Sequence, residues 1–246
     1  MQSESRDVPP EPQPAATVVV ARPGRGGVEV LVLRRAAGSR FAPGFVVFPG
    51  GVVDPRDGDL AARWFGDRSE EFRACAVREL AEEAGLVATS TGLRPMVPGE
   101  DPLVAISQAP PSVEALPEMA RWVAPAFLSV RFDARFFAVA APAGTVARPD
   151  GVEIDHAEWA RPAAVLEGHR LYESIMWPTY RTLQRLAGCA SVEEVLALRV
   201  EQEPPPMPGR ARSPEWTELE VPEGSANRGS DGAGRPGTDQ GAEASA

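Results

Sequence analysis

RELAEEAGL, residues 78–86, carries three glutamates at a spacing that takes on meaning in a helix. There Glu79, Glu82 and Glu83 stand at i, i+3 and i+4, on one face, with Cβ atoms about 5–6 Å apart. Carboxylates that close repel by about 0.2–0.5 kcal/mol per pair in water, and by more when partly buried. A solvated acidic face is one description of the cluster; a divalent cation drawn between the acids is the other. Oxygen ligands without histidine or cysteine suit Mg²⁺ or Mn²⁺.

The flanking sequence favours the second description. Leu80 and Ala84, with Phe72 and Ala76 one and two turns earlier, give the opposite face something apolar to bury. Ser69 is placed to cap a helix from Glu70 to Ala84, and Gly85 stands where a helix end accepts a left-handed residue. Upstream, FVVFPGGVVD (45–54) reads as a short strand running into Pro-Gly-Gly. Gly50 and Gly51 lack Cβ atoms, so their backbone can approach a phosphate or metal closely.

Farther out, ATVVVA (16–21) and VEVLVLRR (28–35) are β-rich runs on either side of the turn-former RPGRGG. DLAARWFG (59–66) has the character of a short helix. A proline-rich connection with an unassigned element at 102–108 follows. RWVAP (121–125), ARFFAVAAP (134–142) and VEIDHAEWA (152–160) read as strands. A short helix after Pro162 and helices near 178–187 and 192–199 complete the body. Strands alternating with helices in one core predict a single α/β domain over 15–200, an α/β/α sandwich around a mixed β-sheet. Residues 1–14 and 201–246, rich in proline, glycine and polar side chains, are expected to be disordered; Trp216 and Leu219 are the tail's main apolar side chains.

On these residues the chain resembles the Nudix hydrolases, whose signature runs glycine, glutamate, then Arg-Glu-aliphatic-x-Glu-Glu-x-Gly-aliphatic. Gly51, Glu70 and Arg78–Leu86 occupy those places, with seven residues between Glu70 and Arg78 as the pattern requires. One departure is large: 18 residues separate Gly51 from Glu70 where the pattern has five, so 13 residues are inserted in the box. Such an insertion is similar to that of the Nudix-motif-19 type coenzyme A diphosphatases. LVLRR with FAPGFVVFPGGVVD, RWVAP with RFDARFF, and WPTYRTLQRLA agree with it, so the resemblance covers roughly 16–200.

The resemblance implies a metal-dependent hydrolase acting on a nucleoside diphosphate linked to another group. Coenzyme A or acyl-coenzyme A is its first candidate; ADP-ribose or a dinucleotide, and a nucleotide-sensing domain that does not hydrolyse, are the alternatives. It implies Glu79 and Glu83 as direct metal ligands and Glu82 as a third ligand or as the residue that orients and deprotonates the attacking water, with the catalytic role assigned to Glu79 and Glu82. Glu70 and Arg78 would stand behind the ligands, and Arg35, Gly50 and Gly51 would meet the substrate. Glu153 and Glu158 are two candidates for a more distant base. Cys75 reads as packing, and His156 and His169 as surface side chains.

Composition excludes other classes. A net charge of −10 argues against a surface built to neutralise nucleic-acid phosphates. From Glu201 onward nine acidic side chains face four basic ones, a net of −5, so the body is only mildly acidic. Every cation is an arginine, consistent with the alanine, proline and glycine excess of GC-rich coding. Two cysteines form no disulfide framework and suit a reducing compartment. The first residues carry no apolar run, so no secretory signal is expected, and no apolar run reaches the roughly 18 residues a membrane span needs. The expectation is a cytoplasmic protein with a small nucleotide-containing partner, neither nucleic acid nor membrane, and with a homodimer left open.

Overall fold

The computed structural model describes residues 9–206. Seven strands form a mixed sheet: β1 (Gln13–Gly24), β2 (Gly27–Arg35), β3 (Val46–Val47), β4 (Gly50–Val52), β7 (Glu118–Val123), β8 (Phe132–Ala140) and β9 (Ile154–Ala160). Its central pair is parallel, β1 on β8, in register from Gln13↔Phe132 to Ala21↔Ala140. The remaining pairings are antiparallel: β1 with β2 and β4, β2 with β3 and β9, and β7 with β8.

Both faces of the sheet are covered, which is why β1 reads as a nearly unbroken apolar run rather than an alternation. Ala16, Val18, Val20, Leu31, Leu33, Phe137 and Val139 point to one side. There they pack under α1 (Asp57–Phe65), α2 (Glu71–Ala84), α3 (Pro102–Gln108) and a ribbon of β5 (Leu86–Thr89) with β6 (Gly92–Pro95). Val19, Ala21, Val30, Val32, Phe136 and Ala138 face the other side, under α4 (Pro162–Gly168), α5 (Trp177–Leu186) and α6 (Val192–Ala197). The fold is therefore the expected α/β/α sandwich.

Three local readings are corrected. FVVFPGGVVD is not one strand but two. β3 pairs with the far end of β2, and after Phe48-Pro49 β4 pairs with residues 15–17 of β1. β1 and β2 pair directly only from Ala21 to Gly24 and then diverge, so the β3–β4 segment fills the wedge between them. Proline, with no N–H to donate, stands at the crossing, and its carbonyl takes the Val18 N–H at 2.9 Å. The helix cap is also not Ser69: the Asp67 carboxylate accepts the Ser69 N–H, opening a 3-10 turn (Arg68–Glu70), and α2 begins at Glu71. The β5–β6 ribbon was not anticipated.

Gly85 ends α2 at φ 61°, in the left-handed region, its N–H returned to the Ala81 and Leu80 carbonyls. The unassigned segment at 102–108 is α3, capped by the Asp101 carboxylate on the Leu103 and Val104 N–H groups. The expectation of disorder falls mostly outside the described residues, as do Trp216 and Leu219. Within them, β1 already begins at Gln13, and Gln202 and Glu203 hydrogen-bond to the body. Among the described residues no helix is long and apolar enough to cross a membrane.

Candidate active site

α2 lies across β1 and β4 and is buried around most of its circumference. Ala74, Cys75, Ala76, Val77, Leu80 and Ala84 are all fully enclosed. The acids face the wedge where Gly50 and Gly51 run beneath the helix. Gly50 donates its N–H to Glu83 Oε2 at 2.9 Å. A Cβ on Gly51 would fall 2.4 Å from Glu79 Oε1, and one on Gly50 would fall 2.3 Å from the Ala16 carbonyl oxygen. Gly50 thus requires glycine for close approach to the neighbouring strand, and at Gly51 the missing Cβ leaves the space that the Glu79 carboxylate occupies.

Burial sets the electrostatics. Glu83 is only 4% exposed. Desolvation first, then the charge of Glu79, pushes its carboxyl up to about 8, while the Gly50 N–H and Arg35 pull the other way. Burial also raises the Glu79 carboxyl above its ordinary value, opposed by Arg78 beside it. A carboxylate left in such a place without compensating positive charge is costly.

Arg78 is buried beside them. Its Nη1 donates to Glu79 Oε1 at 2.7 Å and to Glu82 Oε2 at 2.8 Å. Its other edge is gripped by Asp57, the first residue of α1, through Nε to Oδ1 at 2.8 Å and Nη2 to Oδ2 at 2.9 Å. Burial opposes the guanidinium charge, but the Asp57 hydrogen bonds and the charges of Glu79 and Asp57 outweigh it and raise its pKa. Glu82, the most exposed of the three acids, also meets Arg56 Nη2 at 3.3 Å.

The other expected site residues divide. Arg35 reaches this face: its Nε donates to the Phe41 carbonyl at 2.9 Å, its Nη2 is 4.0 Å from Glu153, and its charge is felt at Glu83. Glu153 raises the Glu83 pKa and so belongs to the same region. Glu158 does not. It is paired with Val32 on β2, whose side chain enters the opposite core, and there it neighbours His156 at 3.8 Å. Glu70 bonds Arg73, one turn along, rather than any of the three acids, and makes no side-chain cap. Cys75 packs its Sγ against the Gly51 and Val52 carbonyls at 3.6 and 3.5 Å, with burial holding the thiol far above its usual range.

Sequence reasoning missed Asp57. An aspartate in the first turn of a helix reads as a charge on the helix dipole, and nothing in the spacing points to a partner 21 residues away. The insertion within the glutamate signature was the one available signal.

The donor set fits a hard divalent cation in kind: oxygen atoms only, one carboxylate buried against a backbone N–H, another beside a glycine that leaves it room. It is not a closed cage. Among the described residues no three histidine, cysteine or acidic side chains stand ready around one point; Glu79 and Glu82 are held in place by Arg78.

The family model described as the NUDIX domain matches residues 11–183, from the start of the sheet into α5. The chain belongs to the NUDIX hydrolase family. A crystal structure of a NUDIX hydrolase from Alicyclobacillus acidocaldarius is 33% identical, covers 77% of this NUDIX chain and 97% of its own, and superposes with a TM-score of 0.66. A Caenorhabditis elegans protein named as nudix hydrolase 7 is 46% identical over 63 residues, 26% of this chain and 19% of its own. The human acyl-coenzyme A diphosphatase NUDT19 is 24% identical over 244 residues, 70% of this chain and 64% of its own. This NUDIX chain therefore spans less than two thirds of the length of either curated relative.

Proposed function

We propose that this protein hydrolyses the diphosphate linkage of coenzyme A or acyl-coenzyme A, giving adenosine 3′,5′-bisphosphate and (acyl)phosphopantetheine. The observation that carries the hydrolase reading is the set of three acids on α2 above Gly50–Gly51, one of them buried with a backbone N–H as its direct partner. The substrate class rests on the likeness to the human acyl-coenzyme A diphosphatase and on the insertion in the box.

Glu79, Glu82 and Glu83 are the side chains that would hold Mg²⁺ or Mn²⁺. When bound there, such an ion would supply positive charge against the diphosphate oxygens and would acidify an attacking water. The protein's part is placement. Arg78 fixes the rotamers of Glu79 and Glu82, Gly51 keeps side-chain bulk away from Glu79, and Gly50 gives its N–H to Glu83. Arg35 offers a guanidinium for a phosphate oxygen, at the mouth and on the same face as Glu83. Glu82, the acid most open to solvent, is placed to orient the water and take its proton; water adds across P–O–P and two phosphomonoesters leave.

The test is mass analysis of products after incubating the protein and Mg²⁺ or Mn²⁺ with coenzyme A, an acyl-coenzyme A, ADP-ribose and a dinucleotide. Preferred turnover of the coenzyme A compounds, lost in Glu83→Gln, is expected. Preference for ADP-ribose or the dinucleotide overturns the substrate class and leaves the chemistry. Binding without turnover of any compound overturns the hydrolase.

A further inference from the structure

The segment inserted between Gly51 and Glu70 includes the start of α1, and it holds one of the few charged side chains in the described residues that is completely enclosed. Asp57 has 0% exposure. Its carboxylate bonds Arg78 and its own turn. Oδ1 and Oδ2 take the Nε and Nη2 of Arg78 in a two-point grip, and Oδ2 also accepts the Asp54 N–H at 2.8 Å. The last bond pins the aspartate to its own turn, so its position is set by the inserted segment. The grip occupies one edge of a planar group, leaving Nη1 as the donor aimed at Glu79 and Glu82. Two parallel hydrogen bonds fix the plane of a guanidinium in a way one cannot.

We infer that Asp57 is a positioning residue for the metal site: the inserted segment, through Asp57 and Arg78, sets the directions of the Glu79 and Glu82 carboxylates. The insertion is then a structural member of the site, and its removal would leave the guanidinium to choose its own angle. This rests on the reading of the α2 acids as metal ligands.

Asp57→Asn keeps the shape but not the pattern. In either amide orientation an N–H₂ faces a donor that the carboxylate accepted, from Arg78 or from Asp54. Partners behind metal ligands typically change affinity or activity 10–100-fold when replaced. The readout is Mn²⁺ affinity without substrate, by electron paramagnetic resonance of the free ion, alongside circular dichroism and melting. Wild-type protein is expected to bind Mn²⁺, and folded Asp57→Asn to bind it about 10-fold more weakly.

Ala62→Gly, on the exposed side of α1, weakens the same helix without touching Arg78, and is expected to keep native affinity. Asp57→Asn/Arg78→Gln no longer buries an unpaired guanidinium, so it remains measurable if the single variant does not fold. Because Asp57 acts through Arg78, the double variant is expected to bind as Arg78→Gln alone does.

Native Mn²⁺ affinity in folded Asp57→Asn, equal loss in Ala62→Gly, or losses that multiply in the double variant would each overturn the positioning role. Wild-type protein that does not bind Mn²⁺ would instead overturn the metal-site reading on which it rests.

Discussion

At the scale of single residues, the burial of Glu83 has a cost in stability that depends on pH. Its carboxyl has an ordinary value of 4.5 and is pushed up to about 8 in the folded protein, chiefly by burial. Between those values the folded state holds a proton that the unfolded state has released. The metal-free fold therefore keeps this contribution in full below about pH 4.5 and loses it as pH rises through about 8. Glu83→Gln accepts the Gly50 N–H through its amide oxygen and has no charge to bury. In a chelator it is expected to melt above wild type at pH 8 and level with it near pH 4.5, while hydrolysing nothing. A variant that melts below wild type at pH 8 would show that the buried charge is not a burden. Gly51 makes a related prediction by geometry alone. In Gly51→Ala the new Cβ displaces the Glu79 carboxylate, which lies at the end of a flexible side chain, so melting changes little. Misplacing a catalytic group by about 1 Å can cost on the order of 100-fold; kcat at saturating metal is the quantity to measure, and a native kcat would mean that Glu79 is free to move.

At the scale of elements, α2 could be read from sequence because several signals coincided: glutamate spacing, an apolar opposite face, and a terminal glycine. The β5–β6 ribbon could not, since Leu86–Thr89 and Gly92–Pro95 are four-residue strands whose pairing depends on a turn at Ser90–Thr91 and not on any long alternation. The split of FVVFPGGVVD was hidden for another reason: a proline between two valine pairs marks an interruption, but only the divergence of β1 and β2 decides which strand each half joins. The β2–β9 register placed Glu158 on the far face, while Glu153, just outside β9 and beyond the irregularity between Arg34 and Arg35, is placed by its approach to Arg35. Asp57 was invisible because a grip across an inserted segment has no period. The turn that ends α2 also carries a test. Gly85 sits at φ 61°, and a Cβ there would lie 3.0 Å from the Arg148 carbonyl oxygen. Gly85→Ala is expected to lose about 1–2 kcal/mol in chemical denaturation, the cost of a left-handed L-residue, and Gly85→Asn less, because asparagine tolerates that region. Equal losses would place the penalty in the Arg148 contact instead of the backbone.

At the scale of the whole molecule, the body does not stop at the last helix. Val200 donates its N–H to the Met119 carbonyl at 2.8 Å and lies in a parallel bridge with Ala120, extending the sheet beyond β7. Gln202 then grips the main chain of Val123 at both ends, accepting its N–H at 3.0 Å and donating to its carbonyl at 3.1 Å. Glu203 completes the strap, its carbonyl taking the Trp177 indole N–H at 3.0 Å and its carboxylate pairing with Arg181. These bonds cover the outer edge of β7 and tie it to α5, on the face of the sheet opposite α2. A chain ending at Val200 keeps the bridge but loses the strap. Exposed hydrogen bonds and ion pairs contribute modestly, so the summed loss is about 1–2 kcal/mol, or roughly 2–8 °C of melting temperature for a body of this size. A chain ending at Pro206 keeps every one of these contacts and is expected to melt with the full-length protein. Both truncations are expected to hydrolyse at the full-length rate per folded molecule, since the strap and the acids lie on opposite sides of the sheet. A lower rate from a still-folded Val200 truncation would show that the covered edge is coupled through β8 and β1 to the glycine wedge. In that case residues 201–206 would have to be counted with the site and not with the tail.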